Sequence, residues 1–437
     1  MGNLVVVGLG YVGVPVAAKF AEVGFDVTGI DIVDDKIKNI NAGISPIVGK
    51  EPGLAELVRD VVDAGNLKAT NDYAVIAESE YVLIVVETPF QEDINKPYYH
   101  ALRSAASSVA ENLKKGTLVV IESTVAPGTT QSIVKPILEN HSGMIAGEDF
   151  LLATAPERVA PGRLLHNLVN MDRVIGGIND RSTKAAARLY RHIVRGELYE
   201  VDALTAEVVK TTENTYRDVQ IAFANEIALL CENIGVDVWE VRELVNKVPN
   251  REMHQPGAGV GGHCLPKDSW LLAFGARGRY EPRLIAVARD INDSMPLHMS
   301  DLCEDALNSI RGSIYGSTVT ILGVAYREGT DDVRNSPALK LQKSLEALGV
   351  RIVLHDPYVK ATDEMHVISD LDAAITDSDC IALTAAHQEY RDMDLNRVGE
   401  LMRTRIIVDG RAIFDEGLAE EKGFSYVSVG KPFKLTK

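Results

Sequence analysis

The sequence predicts an α/β protein in which two doubly wound domains are joined by a central helical domain with a long connecting helix. Apolar runs alternate with segments of helical spacing over the first part of the chain, and the same alternation restarts near residue 318. Between them, residues 202–234 contain neither Gly nor Pro and repeat apolar residues at steps of three and four. Strands buried on both faces read as continuous apolar runs, and strand–helix alternation of this kind forms parallel sheets. Both outer domains are therefore predicted to be Rossmann-like.

The first predicted domain covers residues 1–200. It opens with "NLVVVGLGYVGVPVAAKFAEVGFDVTGID", which consists of an apolar run, a glycine turn, a helical stretch and a second apolar run ending at Asp31. This order predicts a strand–helix–strand unit of a parallel sheet. Two further buried strands are predicted at 81–89 and 117–124, with a helix between them.

The second predicted domain, residues 201–311, is helical, and the third covers residues 312–437. The run at 202–234 predicts a single long helix, which suits a connector between domains, and 283–310 predicts another. In the third domain "TVTILGVAY", "SPALKLQKSLEALG" and "VRIVLHDPY" repeat the strand–helix–strand pattern without the three-glycine turn. We expect the two α/β domains to leave a cleft where ligands bind.

Composition excludes several classes of protein. No stretch approaches the roughly 20 apolar residues of a membrane helix, and no basic residue precedes the first apolar run, so we expect a cytoplasmic protein. The net charge of −17 argues against a broad nucleic-acid-binding face, because phosphates are bound by clustered Lys and Arg. The four cysteines lie far apart without a C-x-x-C pair, which predicts reduced thiols and no metal site.

The glycine turn predicts a dinucleotide site. "GLGYVG" places Gly8, Gly10 and Gly13 after a predicted strand and at the start of a predicted helix, and Asp31 ends the next strand. Such glycines allow a pyrophosphate to approach the helix N-terminus, while the carboxylate accepts hydrogen bonds from a ribose diol. A carboxylate repels a 2'-phosphate, so NAD is favoured over NADP. The alternative is a glycine turn used only for packing.

Cys264 has an unusual context in "GAGVGGHCLPKD". Four glycines precede it (Gly257, Gly259, Gly261 and Gly262), and we expect them to remove side chains that would block a ligand. Lys267 and His263 could lower the pKa of its thiol, which would favour a nucleophile. A buried cysteine is more often a small hydrophobic residue, and that description fits Cys231, Cys303 and Cys380. A metal role for His263 and Cys264 is disfavoured because no second pair of ligands is present.

Further polar residues occur where a ligand could meet them. Lys210 and Asn214 are four residues apart on the long helix and share a face, which Arg217 and Asp218 continue. Thr124 follows a predicted strand at its carboxyl end, where doubly wound domains bind ligands. Glu157 and Arg158 lie in a loop between two prolines. A solvated helix face and ordinary turn chemistry are the alternatives.

Taken together, these stretches resemble the nucleotide-sugar 6-dehydrogenases, the UDP-glucose and GDP-mannose dehydrogenase family. The motifs "GLGYVG", "STVAPGT", "PER", "KTTENTYRDVQIAFANE", "GVGGHCLPKD" and "GVAYREGTDDVRNSPA" follow the family's order over nearly the whole chain. Within the family, "ERVAPG" with "ENTYRDVQIAFANE" and "GGHC" most resembles the UDP-N-acetyl-D-mannosamine dehydrogenases. UDP-glucose, UDP-N-acetylglucosamine or UDP-N-acetylgalactosamine is the alternative substrate. An NAD-binding sensor or scaffold is the non-enzymatic alternative.

The resemblance implies a four-electron oxidation of a sugar C6 hydroxymethyl group to a uronate, with NAD as cofactor. It implies that the Cys264 thiolate forms a thiohemiacetal and then a thioester, which water hydrolyses. Lys210 and Asn214 would stabilise the oxyanion, and Asp268 would hold Lys210 or a water. Glu157 and Thr124 would orient the hydrolytic water.

The resemblance also implies binding residues. The predicted NAD contacts are Gly8, Gly10, Tyr11, Val12, Gly13, Asp31, Thr88, Thr124 and Arg334. The predicted sugar-nucleotide contacts are Glu157, Arg158, Val159, Lys210, Asn214, Arg217, Arg251, His254, Gly259, Tyr326, Arg327 and Arg411. Arg251 or His254 would reach a neighbouring subunit's site, because the family dimerises through its helical middle, so a homodimer or larger oligomer is expected. Arg327 departs from the lysine that the family often has, which changes the geometry of that contact.

Overall fold

The computed structural model describes residues 1–47, 51–91, 94, 96–158 and 162–433. Contacts divide the chain into two compact units. Unit 1 consists of Met1–Asn214 and Lys267–Glu281, and unit 2 consists of Thr215–Pro266 and Pro282–Lys437. The division into domains 1–200, 201–311 and 312–437 stays a prediction.

Unit 1 is built on an eight-stranded sheet in the order β10-β9-β8-β7-β4-β1-β2-β3, and β5 and β6 form a separate hairpin. The strands are β1 Asn3–Val7, β2 Asp26–Ile30, β3 Leu67–Thr70, β4 Tyr81–Ile84, β5 Phe90–Gln91, β6 Lys96–Pro97, β7 Leu118–Ile121, β8 Leu151–Thr154, β9 Arg173–Gly177 and β10 Leu198–Asp202. Within the sheet, neighbouring strands in the stretch β8-β7-β4-β1-β2-β3 are parallel, whereas β9 runs antiparallel to β8. The two predicted strands at 81–89 and 117–124 are present but shorter.

Helices cover both faces of this sheet. They are α1 Gly13–Glu22, α2 Asp34–Asn41, α3 Leu54–Asp63, α4 His100–Glu111, α5 Lys135–Ser142, α6 Leu164–Asn170 and α7 Asp180–Tyr190. Along β1, Leu4 and Val6 pack into one core while Val5 and Val7 pack into another. Alternate side chains of a strand point to opposite faces, so an apolar run such as β1 is buried twice.

The middle of the chain consists of four helices among the described residues: α8 Ala203–Ile234, α9 Val238–Val245, α10 Leu265–Gly275 and α11 Arg283–Arg311. The long helix predicted at 202–234 is therefore confirmed. It ends where Gly235 takes a φ of 92° and its N–H donates to Cys231 O at 2.9 Å. Glycine adopts this conformation without the strain that a Cβ would add.

Unit 2 contains a six-stranded parallel sheet in the order β13-β12-β11-β14-β15-β16. Its strands and remaining helices are β11 Thr318–Leu322, α12 Pro337–Ala347, β12 Arg351–His355, β13 Val367–Ile368, α13 Leu371–Ile375, β14 Cys380–Leu383, α14 Gln388–Arg391, α15 Leu395–Leu401, β15 Ile406–Asp409, α16 Glu416–Glu421 and β16 Ser425–Ser428. The order matches β3-β2-β1-β4-β7-β8 of unit 1. Two doubly wound, Rossmann-like sheets are therefore confirmed, and in each the strand order reverses beside the first strand.

Aspartates begin four helices of unit 2. Asp237, Asp370, Asp394 and Asp415 precede α9, α13, α15 and α16, and each side chain accepts a hydrogen bond from a backbone N–H in the first turn. These N–H groups have no partner inside the helix, so each cap is worth about 1 kcal/mol.

No helix in the described part of the chain combines the length and the apolar character needed to cross a bilayer.

Candidate active site

The glycine turn after β1 has a different structural reason for each glycine. Gly8 has a φ of 100°, and a Cβ there would lie 2.3 Å from Val85 O. A Cβ on Gly13 would lie 1.8 Å from Gly8 O, whereas one on Gly10 would meet no atom within 4 Å. Two glycines thus permit close packing, and the middle one leaves open space beside the N-terminus of α1. This is the arrangement that a pyrophosphate requires.

Asp31 is tied to the same turn. Its carboxylate accepts hydrogen bonds from Leu9 N at 2.8 Å and Val33 N at 3.0 Å, and it pairs with Lys36 at 3.1 Å. A carboxylate has about four acceptor positions, so these three partners leave capacity for a ribose hydroxyl. Two other predicted cofactor residues lie in this turn. The Tyr11 hydroxyl donates a hydrogen bond to the Glu51 carboxylate, and Val12 directly precedes α1.

The carboxyl ends of β4 and β7 bring Thr88 and Thr124 together. The buried Thr88 hydroxyl donates a 2.6 Å hydrogen bond to Thr124 O. The loop that follows Thr124 is held by Glu207 of α8, whose carboxylate accepts from Gly128 N at 2.5 Å and Thr130 N at 2.8 Å. Burial raises the pKa of Glu207 to about 7, although the hydrogen bonds from Thr130 and Gly128 oppose that rise.

A buried ion pair supports Glu157. Arg173 lies 3.2 Å from Glu122 and donates a 2.8 Å hydrogen bond to Ala155 O, at the start of the loop that contains Glu157. Its guanidinium also stacks on the Tyr190 ring, 4.3 Å from the centroid. Burial lowers the pKa of Arg173, but the charges of Glu122, Tyr190 and Glu157 raise it overall, so the guanidinium stays charged beside Glu157.

Arg158 is bound within unit 1. Its guanidinium pairs with Glu213 of α8 and donates to Asp172 O at 2.9 Å. The predicted sugar-nucleotide contact of Arg158 therefore involves a side chain that already links a loop to the residue before Asn214. Val159 lies outside the described residues.

Asn214 and Asp268 are in direct contact. Asn214 donates a 2.5 Å hydrogen bond to Asp268 Oδ2, and Lys267 Nζ lies 2.9 Å from Asp268 Oδ1. Asp268 is 1% exposed and Lys267 is 8% exposed, so this cluster is shielded from water. Lys210 lies half-buried one turn before Asn214 on α8. The predicted contact of Asp268 with Lys210 or a water stays a prediction.

In unit 2 we define the glycine loop as residues 257–264. Cys264 is exposed, whereas Cys231, Cys303 and Cys380 are buried, as the sequence predicted for core cysteines. The predicted reason for the glycines is wrong, because protein atoms occupy the space of their missing side chains. Cβ atoms would lie 2.6 Å from the Arg411 guanidinium at Gly257, 3.1 Å from the Pro296 ring at Gly259, and 2.6 and 2.8 Å from Tyr326 at Gly261 and Gly262.

Tyr326 and Arg334 interact electrostatically with Cys264. Burial raises the pKa of Tyr326 most, and the charges of Asp332 and Cys264 raise it further. The pKa of Arg334 is raised chiefly by its hydrogen bonds to Asp332, with Cys264 adding a smaller increase. Arg334 holds Asp332 through two parallel hydrogen bonds of 2.9 and 2.6 Å. The Cys264 side chain therefore lies within electrostatic range of both Tyr326 and Arg334.

The remaining predicted sugar-nucleotide residues of unit 2 lie on different segments of the chain. Arg217 and His254 interact electrostatically. Burial lowers the pKa of His254 most, and the positive charge of Arg217 lowers it further. Arg251 is exposed nearby in sequence. Arg411 packs against the start of the glycine loop, while Arg327 is exposed next to Tyr326. No group of three His, Cys, Asp or Glu residues that could hold a metal ion occurs among residues that the structure describes.

Family comparisons match three consecutive regions of the chain. Models of the UDP-glucose/GDP-mannose dehydrogenase family match as the NAD binding domain over residues 2–194, the central domain over 204–294 and the UDP binding domain over 320–416. The chain belongs to the UDP-glucose/GDP-mannose dehydrogenase family. The resemblance seen in the motifs is thereby confirmed, and the glycine turn and Asp31 lie within the family's NAD binding domain.

Relatives in this family match over full length. A UDP-N-acetyl-D-mannosamine dehydrogenase from Pyrococcus horikoshii is 40% identical over 98% of this chain and 99% of its own. A solved structure of that enzyme has a TM-score of 0.92, with 39% identity over 99% of this chain and 100% of its own. The structure of an NDP-N-acetyl-D-galactosaminuronic acid dehydrogenase from Methanosarcina mazei has a TM-score of 0.89, with 38% identity over 99% and 96%.

Sequence reasoning missed some residues that support the candidate site. Glu207 could have been found, because it lies three residues before Lys210 and therefore one helical turn away. Arg173 and Glu122 had no such signal, since residues that are paired across a sheet can lie far apart in sequence.

Proposed function

We propose that this protein oxidises C6 of UDP-N-acetyl-D-mannosamine to the uronate with NAD. The full-length identity of 40% to the Pyrococcus UDP-N-acetyl-D-mannosamine dehydrogenase is the observation that supports this substrate most strongly. The Asn214–Asp268 contact, the exposed Cys264 and the open glycine turn supply residues suited to this chemistry.

NAD fits the residues present in unit 1. Gly10 leaves the space that a pyrophosphate would fill, Asp31 would accept the ribose hydroxyls, and Thr88 and Thr124 would line the nicotinamide end. A bound NAD would supply the hydride acceptor for each of the two oxidations at C6. The predicted contact of Arg334 with NAD belongs to the same proposal.

Cys264 acts as the covalent tether. Its thiolate adds to the C6 aldehyde to form a C–S bond, and the aldehyde oxygen becomes the oxyanion of a thiohemiacetal. Loss of a hydride from C6 of the thiohemiacetal, which a bound NAD would accept, gives a thioester. Water then adds to the thioester carbonyl and the C–S bond breaks, which releases the carboxylate, the Cys264 thiolate and two protons. A covalent adduct keeps the aldehyde aligned between the two oxidations, where a free aldehyde would escape.

Lys210 and Asn214 stabilise the oxyanion in this scheme. Asp268 accepts the hydrogen bond of Asn214, so the amide nitrogen is oriented by a buried carboxylate. Donors fixed in this way cost no reorganisation during reaction and are worth several kcal/mol. Glu157, held beside Arg173, would orient the hydrolytic water with Thr124.

A homodimer or larger homo-oligomer is part of the proposal. On α8, Tyr216, Phe223 and Leu230 are 62%, 57% and 47% exposed and recur every seven residues, so they share one face of the helix. An apolar stripe of this kind marks an interaction surface. Light scattering should give a mass of at least two chains, and Phe223→Arg should lower it. The predicted reach of Arg251 or His254 into a neighbouring site, and cytoplasmic localisation, stay predictions.

UDP-N-acetylgalactosamine is the second candidate substrate. The Methanosarcina structure and a Ralstonia solanacearum relative at 37% identity are both named NDP-N-acetyl-D-galactosaminuronic acid dehydrogenase. The two sugars differ in the stereochemistry of the ring, so the residues near the sugar decide between them.

A donor panel tests the proposal. Purified protein should reduce two NAD per molecule of UDP-N-acetyl-D-mannosamine and form the uronate, with slower turnover of UDP-glucose, UDP-N-acetylglucosamine and UDP-N-acetylgalactosamine. Cys264→Ala should abolish uronate formation. Turnover of every donor except UDP-N-acetyl-D-mannosamine would refute the substrate. Full uronate production by Cys264→Ala would refute the covalent route. NAD binding in a calorimeter without sugar-nucleotide binding or turnover would favour a sensor.

A further inference from the structure

We propose that Asn225 and Asn335 are positioning residues that hold the two ends of the glycine loop and thereby fix the place of Cys264. The inference rests on the proposed function, in which the Cys264 sulfur must reach C6 of the sugar. All the contacts involved lie within unit 2.

Asn225 of α8 holds the first end. Its side chain is fully buried, its Oδ1 accepts a 2.9 Å hydrogen bond from Gly257 N, and its Nδ2 donates a 2.9 Å bond to Asn292 Oδ1. One amide therefore satisfies the buried N–H at the start of the loop and is itself fixed by α11.

The orientation of Asn225 is set by a buried carboxylate. Asn292 Nδ2 donates to Asp218 Oδ1 at 2.8 Å and to Asp218 O at 3.0 Å, and Arg289 donates to Asp218 Oδ1 at 2.7 Å. An ionised carboxylate only accepts, so the Asn292 amide must turn its nitrogen to Asp218 and its oxygen to Asn225. That leaves the Asn225 oxygen facing the glycine loop.

Asn335 holds the second end of the loop at Gly262, which lies two residues before Cys264. Gly262 N donates to Arg334 O at 2.8 Å, and Asn335 Nδ2 donates to Gly262 O at 3.0 Å. Both polar backbone groups of Gly262 are therefore bound by consecutive residues. Asn335 has a φ of 51°, a conformation that asparagine adopts more readily than most residues.

A loop with four glycines needs such bonds. Glycine loses more conformational freedom than any other residue when it is ordered, so unbonded glycines would let the segment vary. A displacement of about 1 Å at a reacting group can lower a rate by about a hundredfold. Fixing Gly257 and Gly262 confines the backbone that leads to Cys264.

The decisive variants are Asn335→Gly and Asn335→Asp. Glycine keeps the left-handed backbone but removes the amide, and aspartate keeps the shape but has no hydrogen to donate to Gly262 O. Asp377→Gly is the matched control, because Asp377 is an exposed residue of unit 2 with a φ of 59°. Asn225→Ala tests the other end. Because Asn225 is buried, its replacement should also lower the melting temperature of the protein. The variants of the exposed Asn335 therefore decide whether these bonds position Cys264.

Two measurements separate this proposal from the proposed function. Hydrogen–deuterium exchange of the peptide spanning residues 257–264 needs no substrate, and it should become at least about threefold faster in both Asn335 variants and stay unchanged in Asp377→Gly. With UDP-N-acetyl-D-mannosamine as substrate, kcat of both Asn335 variants should fall about tenfold or more relative to the unaltered protein. The KM for NAD and the KM for the UDP-sugar should each stay within about twofold. Unchanged exchange would overturn the proposal, and so would faster exchange with unchanged kcat. Absence of turnover in the unaltered protein would instead count against the proposed function, while the exchange result would still decide whether Asn335 holds the loop.

Discussion

Replacing Glu207 by glutamine should change how the stability of the protein depends on pH. The carboxyl of Glu207 is 1% exposed, and its pKa rises from an ordinary value of 4.5 to about 7 in the folded chain. Between these values the folded chain holds a proton that the unfolded chain has released. The stabilisation from this group is therefore complete below about pH 4.5 and is lost as the pH rises through 7. The difference between the two pKa values corresponds to about 3 kcal/mol of stability, and about 2.5 kcal/mol of this is lost between about pH 5 and about pH 8.

Glutamine has no proton to lose, so it removes this dependence. Two backbone N–H groups point at the carboxylate, and the glutamine nitrogen must face one of them, so the variant should be less stable by about 1–3 kcal/mol near pH 5. The deficit should shrink by about 2.5 kcal/mol by about pH 8, because only the unaltered protein loses stability over that range.

Tryptophan fluorescence can report unit 1 alone. The chain has two tryptophans, Trp239 in unit 2 and Trp270 in unit 1, so a Trp239→Phe background leaves only Trp270 to follow urea unfolding. Glu56→Gln is the control, since it makes the same change at an exposed position of α3. Parallel pH curves for the Glu207→Gln and unaltered proteins would refute the reasoning.

Three further changes test other parts of the structure. Asp31→Asn should lower the preference for NAD over NADP by about tenfold, about 1.4 kcal/mol, and an unchanged ratio of kcat/KM would contradict the role of the carboxylate. Arg173→Met should reduce the free energy of unfolding by about 3–5 kcal/mol in urea, because it leaves the buried Glu122 carboxylate without its positively charged partner, and a loss below about 1 kcal/mol would argue against the ion pair. Gly262→Ala should lower the melting temperature and activity far more than Gly278→Ala. Both glycines have positive φ, but a Cβ at Gly262 would lie 2.8 Å from a tyrosine ring and one at Gly278 would meet nothing within 4 Å.

Much of the fold followed from the sequence because periodicity is a local property. The apolar run of β1, the uninterrupted spacing of α8 and the restart at β11 each reflect which faces are buried. The reversed direction of β9 was not predicted, because an apolar run has the same pattern in either orientation.

The site was predictable only in its residue types. The resemblance predicts Asn214 and Asp268 as site residues, but their contact with each other depends on helix packing that spacing does not reveal. The glycines of the loop predict open space for a ligand, whereas Tyr326 and Arg411 fill that space. A missing side chain has the same appearance in a sequence whether ligand or protein occupies its place.

The aspartates that begin four helices of unit 2 bear on the acidity of the chain. Part of the charge of −17 comes from carboxylates whose structural role is to accept hydrogen bonds at helix N-termini. Surface engineering toward neutrality, for crystal growth or immobilisation, should therefore spare Asp237, Asp370, Asp394 and Asp415 or replace them only with Asn, Ser or Thr.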